Sequence, residues 1–472
     1  MTVNELFSSN IEVVNIGLES FSEAVRDQDH RAVHVEWTPP AGADDEAIAC
    51  LDRLAEFEDR ISIANEEAFR RINAAEPELV DIVTAGDVLP ELDDHSIGHA
   101  GPPLKWEDMC GPLQGAILGA AVYEGMANTL EEAEQLVLTG KIRFISNHSM
   151  GCVGPMTGMI TKSMPLFAVR NKTFGNMAYS TFNEGLGKVM RFGANGPEVI
   201  ERLRWIQNDL GPAVKKALEI TGPVSLKVMI SKALAMGDEM HQRNIAASCL
   251  FVRTIMPGIV RAGLCADSLA AVTDFITGND QFFLNLAMAA GKATMDPVKN
   301  IEHSCIVTAM SRNGTNFGIK VSALGDRWFE SPVLQPKGLY FPGYSEKDAN
   351  PDIGDSAICE TFGIGGVAMG SAPAVIRFVG AESVSAAIQY SRDMFEVTQG
   401  QSDVYLMPTL DFAGTGTGFD IRKVTETGIL PVINTGMAHR QPGIGQVGAG
   451  IVNAPMGCFI KALKAFAEYE AN

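Results

Sequence analysis

The sequence predicts a multidomain protein of the mixed α/β (α+β) class, and three observations lead to this prediction. The chain has 472 residues, which is more than one compact core accommodates, so two or three domains are expected. Its composition, 46% hydrophobic and 20% charged, is that of a globular protein. Apolar runs of strand-like and helix-like spacing alternate towards both ends, whereas the middle of the chain is almost entirely helical in pattern.

Residues 1–90 are predicted to form an N-terminal α/β domain. A polar helical segment lies between β-branched runs at residues 13–18 and 32–37. Strand, helix and strand in this order predict parallel strands joined by a right-handed crossover, which is a small Rossmann-like unit. Its first turn carries only one glycine of a nucleotide fingerprint, so we interpret the unit as scaffold.

Residues 91–195 and 301–472 are predicted to form an α/β core domain, interrupted by an all-helical domain over residues 196–300. Within the core, Asn-Gly between two strand-like runs predicts a β-hairpin with its turn at Gly314. Residues 443–448 match G-x-G-x-x-G, but the preceding strand ends about ten residues earlier and too little chain follows for a βαβ unit. A dinucleotide site is therefore rejected there.

Charge and composition exclude several classes of function. The formal net charge of −20 argues against nucleic acid and anionic membranes as partners. Residues 1–10 lack the features of a secretory signal, and the uncharged, glycine-rich stretch at residues 361–376 is shorter than the roughly 20 residues of a membrane span. The eight cysteines include no C-x-x-C pair, which indicates reduced thiols. We expect a cytoplasmic protein that binds no membrane and no nucleic acid.

The most unusual segment is MGDEMHQRN at residues 236–244. It places polar and charged side chains between two apolar helical runs. Continued helical geometry would put Asp238 and His241 on one face, and Glu239 and Arg243 one turn apart on the neighbouring face. Burying such groups costs several kcal/mol unless they are paired, so the segment marks either a structural polar network or a functional site.

Three further polar clusters are candidates to converge on this segment in a shared pocket. The cluster at 183–191 is either an edge facing the pocket or a solvated helix face. The cluster at 312–316 includes an arginine that the hairpin turn does not explain. The acids at 352–360 match no metal-loop spacing, so hydrogen bonding to a polar substrate is favoured over Mg²⁺ or Ca²⁺. Their candidate residues are Asn183, Lys188, Arg191, Arg312, Asn313, Asp355, Ser356 and Glu360.

A loop at residues 93–103 contains two histidines four positions apart, His95 and His99, beside two aspartates. This spacing suggests a metal site on a helix, but Gly98 and the following proline pair disfavour a helix here. We therefore favour a structural turn or a substrate-binding loop and retain His99 as a substrate-binding candidate. No metal ion and no cofactor are predicted.

Six short motifs follow one another along the chain. They are HAGPP (99–103), VGPM (153–156), NEGLGK (183–188), MGDE (236–239), RNG (312–314) and DIGDS (352–356). With these motifs the chain resembles the bacterial family that includes AllG, a subunit of oxamate carbamoyltransferase, and the proteins YlbE and YahG. The resemblance implies a subunit of a three-component enzyme of allantoin and purine catabolism, which exchanges oxalurate and phosphate with oxamate and carbamoyl phosphate. It also implies a small anionic substrate, a homo-oligomer and association with other subunits.

Carbamoyl transfer involving phosphate builds negative charge on a tetrahedral intermediate, so it requires cations or backbone amides and a group that moves a proton. We predict His241 and Glu239 as catalytic residues, because only His241 in its segment ordinarily titrates near neutral pH and Glu239 or Asp238 is placed to orient it. The predicted substrate-binding residues are Arg243, Asn244, Asp238, Asn183, Lys188, Arg191, Arg312, Asn313, Asp355, Ser356, Glu360 and His99. The alternatives are a non-catalytic assembly subunit and a ligand-binding protein of the same pathway.

Overall fold

A computed structural model describes residues 12–35, 39–376 and 383–471. These ranges contain helices distributed along the whole chain and six separate sheets, which confirms the mixed α/β class. None of the described helices is both long enough and apolar enough to cross a lipid bilayer.

The strands lie throughout the chain and are short. In order they are β1 (Glu12–Ile16), β2 (Arg31–Val35), β3 (Pro77–Thr84), β4 (Ser96–His99), β5 (Arg143–Ser146), β6 (Cys152–Val153), β7 (Pro165–Asn171), β8 (Met177–Thr181), β9 (Val224–Ser225), β10 (Val307–Asn313), β11 (Asn316–Val321), β12 (Phe329–Pro332), β13 (Lys337–Tyr340), β14 (Ile353–Gly354), β15 (Thr398–Met407), β16 (Ala413–Phe419), β17 (Val432–Ala438) and β18 (Gln446–Asn453).

The α-helices range from one turn to nearly five. In order they are α1 (Glu19–Arg26), α2 (Asp45–Leu54), α3 (Glu58–Ala74), α4 (Ala85–Val88), α5 (Gly111–Glu124), α6 (Leu130–Leu138), α7 (Pro197–Trp205), α8 (Gly211–Thr221), α9 (Leu226–Ala235), α10 (Ile245–Arg261), α11 (Ala266–Thr277), α12 (Leu284–Met295), α13 (Ile358–Thr361), α14 (Val384–Val397), α15 (Ile421–Thr427) and α16 (Met456–Ala471).

At the N-terminus, β1 and β2 pair in parallel around α1, as the strand–helix–strand pattern predicts. The predicted second strand extends to residue 37, but residues 36–38 lie outside the described part of the chain. These two strands form a sheet of their own, whereas β3 pairs with β7 and β9. The Rossmann-like character of this unit and the three domain boundaries stay predictions.

A five-stranded sheet in the order β6-β8-β7-β3-β9 is packed against α12. Every residue of α12 is buried, because its predominantly apolar sequence meets the sheet on one side and α13 on another. The participation of β9 corrects the prediction that residues 196–300 are all helical. Val224 pairs with Leu79, because the chain leaves α8 at Gly222 and runs briefly along the sheet edge before α9.

Two further sheets position the polar clusters. The order β12-β11-β10-β14 contains the predicted hairpin β10–β11, with Gly314 at a φ of +84°, and this prediction is confirmed. Because β14 pairs with β10, residues 352–356 lie beside Arg312. The order β13-β18-β17 brings the fully buried strand β17 behind the same region.

The segment at 236–244 is not helical, so the prediction of shared helical faces is wrong. Helix α9 ends at Ala235 and α10 begins at Ile245. Gly237 adopts a φ of +96° directly after the helix, a left-handed position that ends helices and that glycine occupies without strain. Met240 is also left-handed, with a φ of +63°, and its N–H bonds to the carbonyl oxygen of Arg243 at 2.9 Å. The segment is therefore a compact loop.

Candidate active site

Glu239 holds the loop at 236–244 together through its carboxylate. One oxygen accepts the N–H groups of Gln242 at 2.5 Å and Arg243 at 2.6 Å. The other accepts the N–H of His241 at 3.2 Å and Nδ2 of Asn434 at 3.0 Å. The carboxylate thus binds the backbone on which His241 is carried. The prediction that Glu239 or Asp238 orients the imidazole ring is therefore wrong, because both carboxylates bond to backbone N–H groups of the loop or of α10 instead.

The residue that orients the imidazole is Glu360, from α13. Its Oε1 lies 2.7 Å from Nδ1 of His241, and both side chains are buried. Oε1 also accepts the N–H of Gly366 at 2.9 Å, which fixes the carboxylate in place. Nε2 of His241 makes no hydrogen bond to any described residue, so the ring keeps one nitrogen free.

Arg191 is a buried cation on the neighbouring loop. Its Nε and Nη2 donate to the carbonyl oxygen of Gly185 at 2.9 and 2.7 Å, and Nη2 also donates to Oε1 of Gln281 at 2.7 Å. Burial lowers the pKa of Arg191 to about 10. The loop from residue 182 to 189 is not helical, because Gly185 and Gly187 have φ values of +94° and +84°. The alternative of a solvated helix face for the cluster at 183–191 is therefore wrong.

His241 and Arg191 both line a small space, which we call the inner cavity. Its volume is about 10 Å³, the space of about one water molecule. A larger depression of about 280 Å³, which we call the outer pocket, lies next to it. Gln242 and Gln281 line both spaces. The inner cavity is also lined by Pro155, Met156, Ser356 and Gln446, and the outer pocket by Leu186, Arg243, Asn244 and Asp280.

Asp238 connects the loop at 236–244 to helix α10 and also pairs with Arg243. Oδ2 of Asp238 accepts the N–H of Ala247 at 2.8 Å, in the first turn of α10, and Oδ1 lies 3.3 Å from Nε of Arg243. Burial raises the pKa of Asp238 to about 7, although Ala247 and Arg243 act in the opposite direction. Arg243 and Asn244 line the outer pocket. Asp238 is buried and contacts Arg243.

Arg312 lies in a closed network. Nε and Nη2 bind the two carboxylate oxygens of Asp352 at 2.6 and 3.0 Å, and Nη1 donates to the carbonyl of Gly354 at 2.8 Å. Nη1 and Nη2 also reach the hydroxyls of Ser356 and Thr435 at 3.3 and 3.1 Å. All three guanidinium nitrogens are thus engaged. The prediction that Arg312 contacts substrate is therefore wrong. Its guanidinium bonds to internal groups instead, among them the hydroxyl of Ser356.

Asp355, the residue before Ser356, accepts hydrogen bonds from several separate segments of the chain. Its carboxylate accepts hydrogen bonds from the hydroxyl of Ser311 at 2.6 Å, from Nδ2 of Asn147 at 2.9 Å, and from the N–H groups of Gly101 and Gly154 at 2.9 Å. Burial still raises its pKa. The carboxylate therefore joins three separate loops and does not line the inner cavity.

Four other predicted residues lie away from the inner cavity. Lys188 is 55% exposed and pairs with Glu198 at 2.7 Å. Asn313 bonds to the carbonyl of Pro102 and closes its own hairpin turn. Nδ1 of His99 bonds to the carbonyl of Ala100, and Asn183 donates to Oδ1 of Asn285. Within the described ranges, no group of three or more His, Cys, Asp or Glu side chains is arranged to hold a metal ion.

The structure adds residues that sequence reasoning missed. Gln281, Asn434 and Gln446 contribute amide groups around the loop or its cavity. Gln281 and Asn434 belong to no recognisable motif, whereas Gln446 lies within the glycine-rich match at residues 443–448. An uncharged amide carries no periodic signal of its own. A further hint is that Gln281 lies in a polar turn, Asn279 to Gln281, immediately before an apolar helix.

The fold and this geometry define a mixed α/β protein with an oriented histidine and a buried arginine around one small cavity. A family model described as oxamate carbamoyltransferase subunit AllG matches residues 142–356, a range that includes Arg191, His241 and Gln281. The chain is 42% identical over 465 residues to the Uncharacterized protein YahG of Escherichia coli (strain K12), covering 98% of both chains. It is 48% identical over 410 residues to the Oxamate carbamoyltransferase subunit AllG of the same organism, covering 86% of this chain and 98% of AllG.

A solved structure of a conserved protein of unknown function from Enterococcus faecalis V583 matches the fold with a TM-score of 0.85. Sequence identity is 43%, and the match covers 87% of this chain and 98% of the other. The chain belongs to the family of AllG and YahG, which confirms the resemblance of the six motifs.

Proposed function

We propose that this chain carries the carbamoyl-transfer site of a multi-subunit enzyme of ureide breakdown in allantoin and purine catabolism. In the proposed reaction, a phosphate oxygen attacks the carbamoyl carbon of oxalurate, the C–N bond breaks, and carbamoyl phosphate and oxamate leave. The proton released by the phosphate hydroxyl ends on the oxamate nitrogen, so one side chain that accepts and returns a proton suffices. Similarity to a protein named as an oxamate carbamoyltransferase subunit supports this reaction.

The observation that carries the proposal is the pairing of His241 with Glu360. A carboxylate at Nδ1 favours the tautomer with its hydrogen on that nitrogen, which leaves Nε2 as the proton acceptor. The ring and Arg191 both line the inner cavity. A proton acceptor that shares a cavity with a buried guanidinium suits a reaction in which negative charge develops on the substrate.

Outside the inner cavity, Arg243 and Asn244 line the outer pocket from which a substrate approaches. The guanidinium of Arg243 offers a positive group there, although the net charge of the whole chain is −20. In the proposal, this guanidinium binds a small anion at the outer pocket, whose lining also includes Asp280. Association with the other subunits follows from the subunit role of the relative. Homo-oligomerisation and a cytoplasmic location stay predictions.

The alternative of a non-catalytic assembly subunit is favoured by one observation. Glu239 and Arg312, two of the predicted functional residues, have all their charged atoms engaged in internal bonds. On this alternative the buried charges fix the packing, and the chemistry lies in another subunit. A ligand-binding protein would use the same pocket without turnover.

The test is phosphate-dependent cleavage of oxalurate by the chain assembled with its partner subunits. His241→Asn removes the proton acceptor, and we expect kcat to fall on the order of 10²–10⁴-fold. The matched control is His95→Asn, at an exposed histidine outside the site. If His241→Asn assembles, melts like the wild type and retains full kcat, the proposed function is overturned in favour of the assembly subunit.

A further inference from the structure

Among the described residues, no carboxylate contacts the guanidinium of Arg191 directly, and Glu184 acts on it only through space. Within the described part of the chain it forms no ion pair, and its partners are a backbone carbonyl and the amide of Gln281. The nearby carboxylate of Glu184 is occupied by the N–H groups of Met190 and Arg191. The ring of Phe192, 4.7 Å from the guanidinium carbon, offers only a partial substitute for a negative charge. A buried cation left unpaired is costly, so its retention points to an anion that binds there.

Gln281 occupies the position of that anion. Its Oε1 lies 2.7 Å from Nη2 of Arg191, and its Nε2 donates to the carbonyl of Gln242 at 3.4 Å. The backbone N–H of Gln281 is fixed by Oδ1 of Asn279 at 3.1 Å. The side chain therefore bridges the arginine and the loop that carries His241.

The same side chain separates the two spaces. Gln281 and Gln242 line both the inner cavity and the outer pocket, and the inner cavity has room for about one water molecule. The inner cavity is too small for a ligand of several heavy atoms, so such a ligand coming from the outer pocket would require these amides to move. Replacing a neutral amide oxygen by an anionic one strengthens the bond to the guanidinium, since charge-assisted hydrogen bonds are roughly twice as strong as neutral ones.

We propose that Gln281 is an internal ligand of Arg191 that keeps the inner cavity closed, and that a small carboxylate or phosphate anion entering from the outer pocket displaces it. This inference rests on the proposed function, because the displacing anion is part of a substrate of the same site. Gln281 is therefore a positioning residue that competes with the substrate. Its neutral amide makes the competition weak enough to be reversed by an anion.

The test is calorimetric titration of the full chain with inorganic phosphate and, separately, with oxamate. Gln281→Ala removes the competitor, and we expect it to bind at least one of the two anions about 10-fold more tightly than the wild type. Gln281→Glu places a carboxylate on Arg191, and we expect its binding to be at least 10-fold weaker than that of the wild type. Gln389→Ala, at an exposed glutamine of α14, is the matched control and should bind as the wild type does.

Tighter binding of phosphate alone assigns the Arg191 position to a phosphate group, and tighter binding of oxamate alone assigns it to a carboxylate; either result supports the inference. The inference is overturned if Gln281→Ala binds both anions no more tightly than the wild type, or if Gln281→Glu binds them as well as the wild type. Thermal melting of each variant verifies that it is folded. The failure of this inference leaves the proposed function standing if His241→Asn still abolishes turnover, so the two outcomes are distinguishable.

Discussion

Oε1 of Glu360 lies 2.7 Å from Nδ1 of His241, although the two residues are 119 positions apart in the chain. The contact is buried on both sides, and the second oxygen, Oε2, has no partner among the described residues. The carboxylate therefore directs one oxygen to the ring, and the ring is held in one orientation and one tautomer. The catalytic proposal depends on this bond more than on any other contact of the loop.

Glu360→Gln keeps the shape of the side chain but removes its charge. We expect kcat of the assembled enzyme to fall about 10²–10⁴-fold, because the amide no longer stabilises the protonated imidazole and favours the wrong tautomer in one of its orientations. KM should change little, since Glu360 does not line either cavity. Steady-state kinetics measures both constants, and an unchanged kcat in a folded variant would remove Glu360 from the mechanism.

Gly365→Ala should break the hydrogen bond between Glu360 and His241, because the added methyl group would collide with the Glu360 carboxylate. Gly365 has a φ of +71°, and an added Cβ would lie 2.2 Å from Oε1 of Glu360 and 3.2 Å from Cβ of His241. Gly175→Ala is a matched control, because Gly175 has a φ of +80° and open space around the added carbon. The control should lose about 1–2 kcal/mol of unfolding free energy and retain activity. Gly365→Ala should lose more stability and nearly all turnover, as measured by urea unfolding and kinetics; equal effects of the two substitutions would contradict this.

Asp238 should make stability depend on pH in a defined direction. Its pKa is raised to about 7 by burial, while the unfolded chain has the ordinary value, so the folded state holds one more proton between these values. The contribution of Asp238 to the unfolding free energy should therefore be largest below about pH 4, fall by up to about 1.4 kcal/mol per pH unit as the pH rises towards 7, and level off above it. Arg243 and Glu239 are the charged groups that face this carboxyl.

Urea unfolding of the wild type and Asp238→Asn between pH 4.5 and 8 isolates this contribution from the other titrating groups. The difference between the two curves should show the slope, since asparagine does not titrate. Parallel curves across the whole range would show that Asp238 is ionised in the folded state throughout.

Arg312→Met should affect stability strongly. It leaves Asp352 buried without its partner, and we expect a loss of about 3–5 kcal/mol in unfolding free energy.

Lys188→Ala, at an exposed ion pair, should change stability by no more than about 0.5 kcal/mol and leave kcat and KM unchanged. Both Arg312 and Lys188 were candidates for binding substrate from sequence. A large rise in KM for Lys188→Ala would restore its predicted role.

The elements that the sequence predicts well are those with local causes. The hairpin turn at Gly314 follows from neighbouring residues, because Asn-Gly lies between two strand-like runs. The segment at 236–244 was misjudged because its apolar flanks have the same helical period on both sides, and one glycine in the left-handed conformation interrupts it. A single glycine inside a helical pattern is weak evidence of a break.

The polar contacts of the site are the part that the sequence cannot assign. The sequence indicates His241 by its residue type, but the choice between Glu239, Asp238 and Glu360 as its partner depends on long-range pairing. Three acids with the same chemistry have three different roles here. Glu239 clamps a backbone, Asp238 supports α10, and Glu360 orients a ring.

The site is assembled from segments that are remote along the chain. Its bonds join residues 90, 119 and 195 positions apart, through Arg191–Gln281, His241–Glu360 and Asn434–Glu239. Closing such long loops has an entropic cost that the packing of the whole fold must offset. An excised fragment spanning residues 196–300 would carry the histidine without Glu360, Arg191 or Asn434. The candidate site is therefore complete only where segments from residue 191 to residue 434 have been brought together, and no single part of the chain contains it.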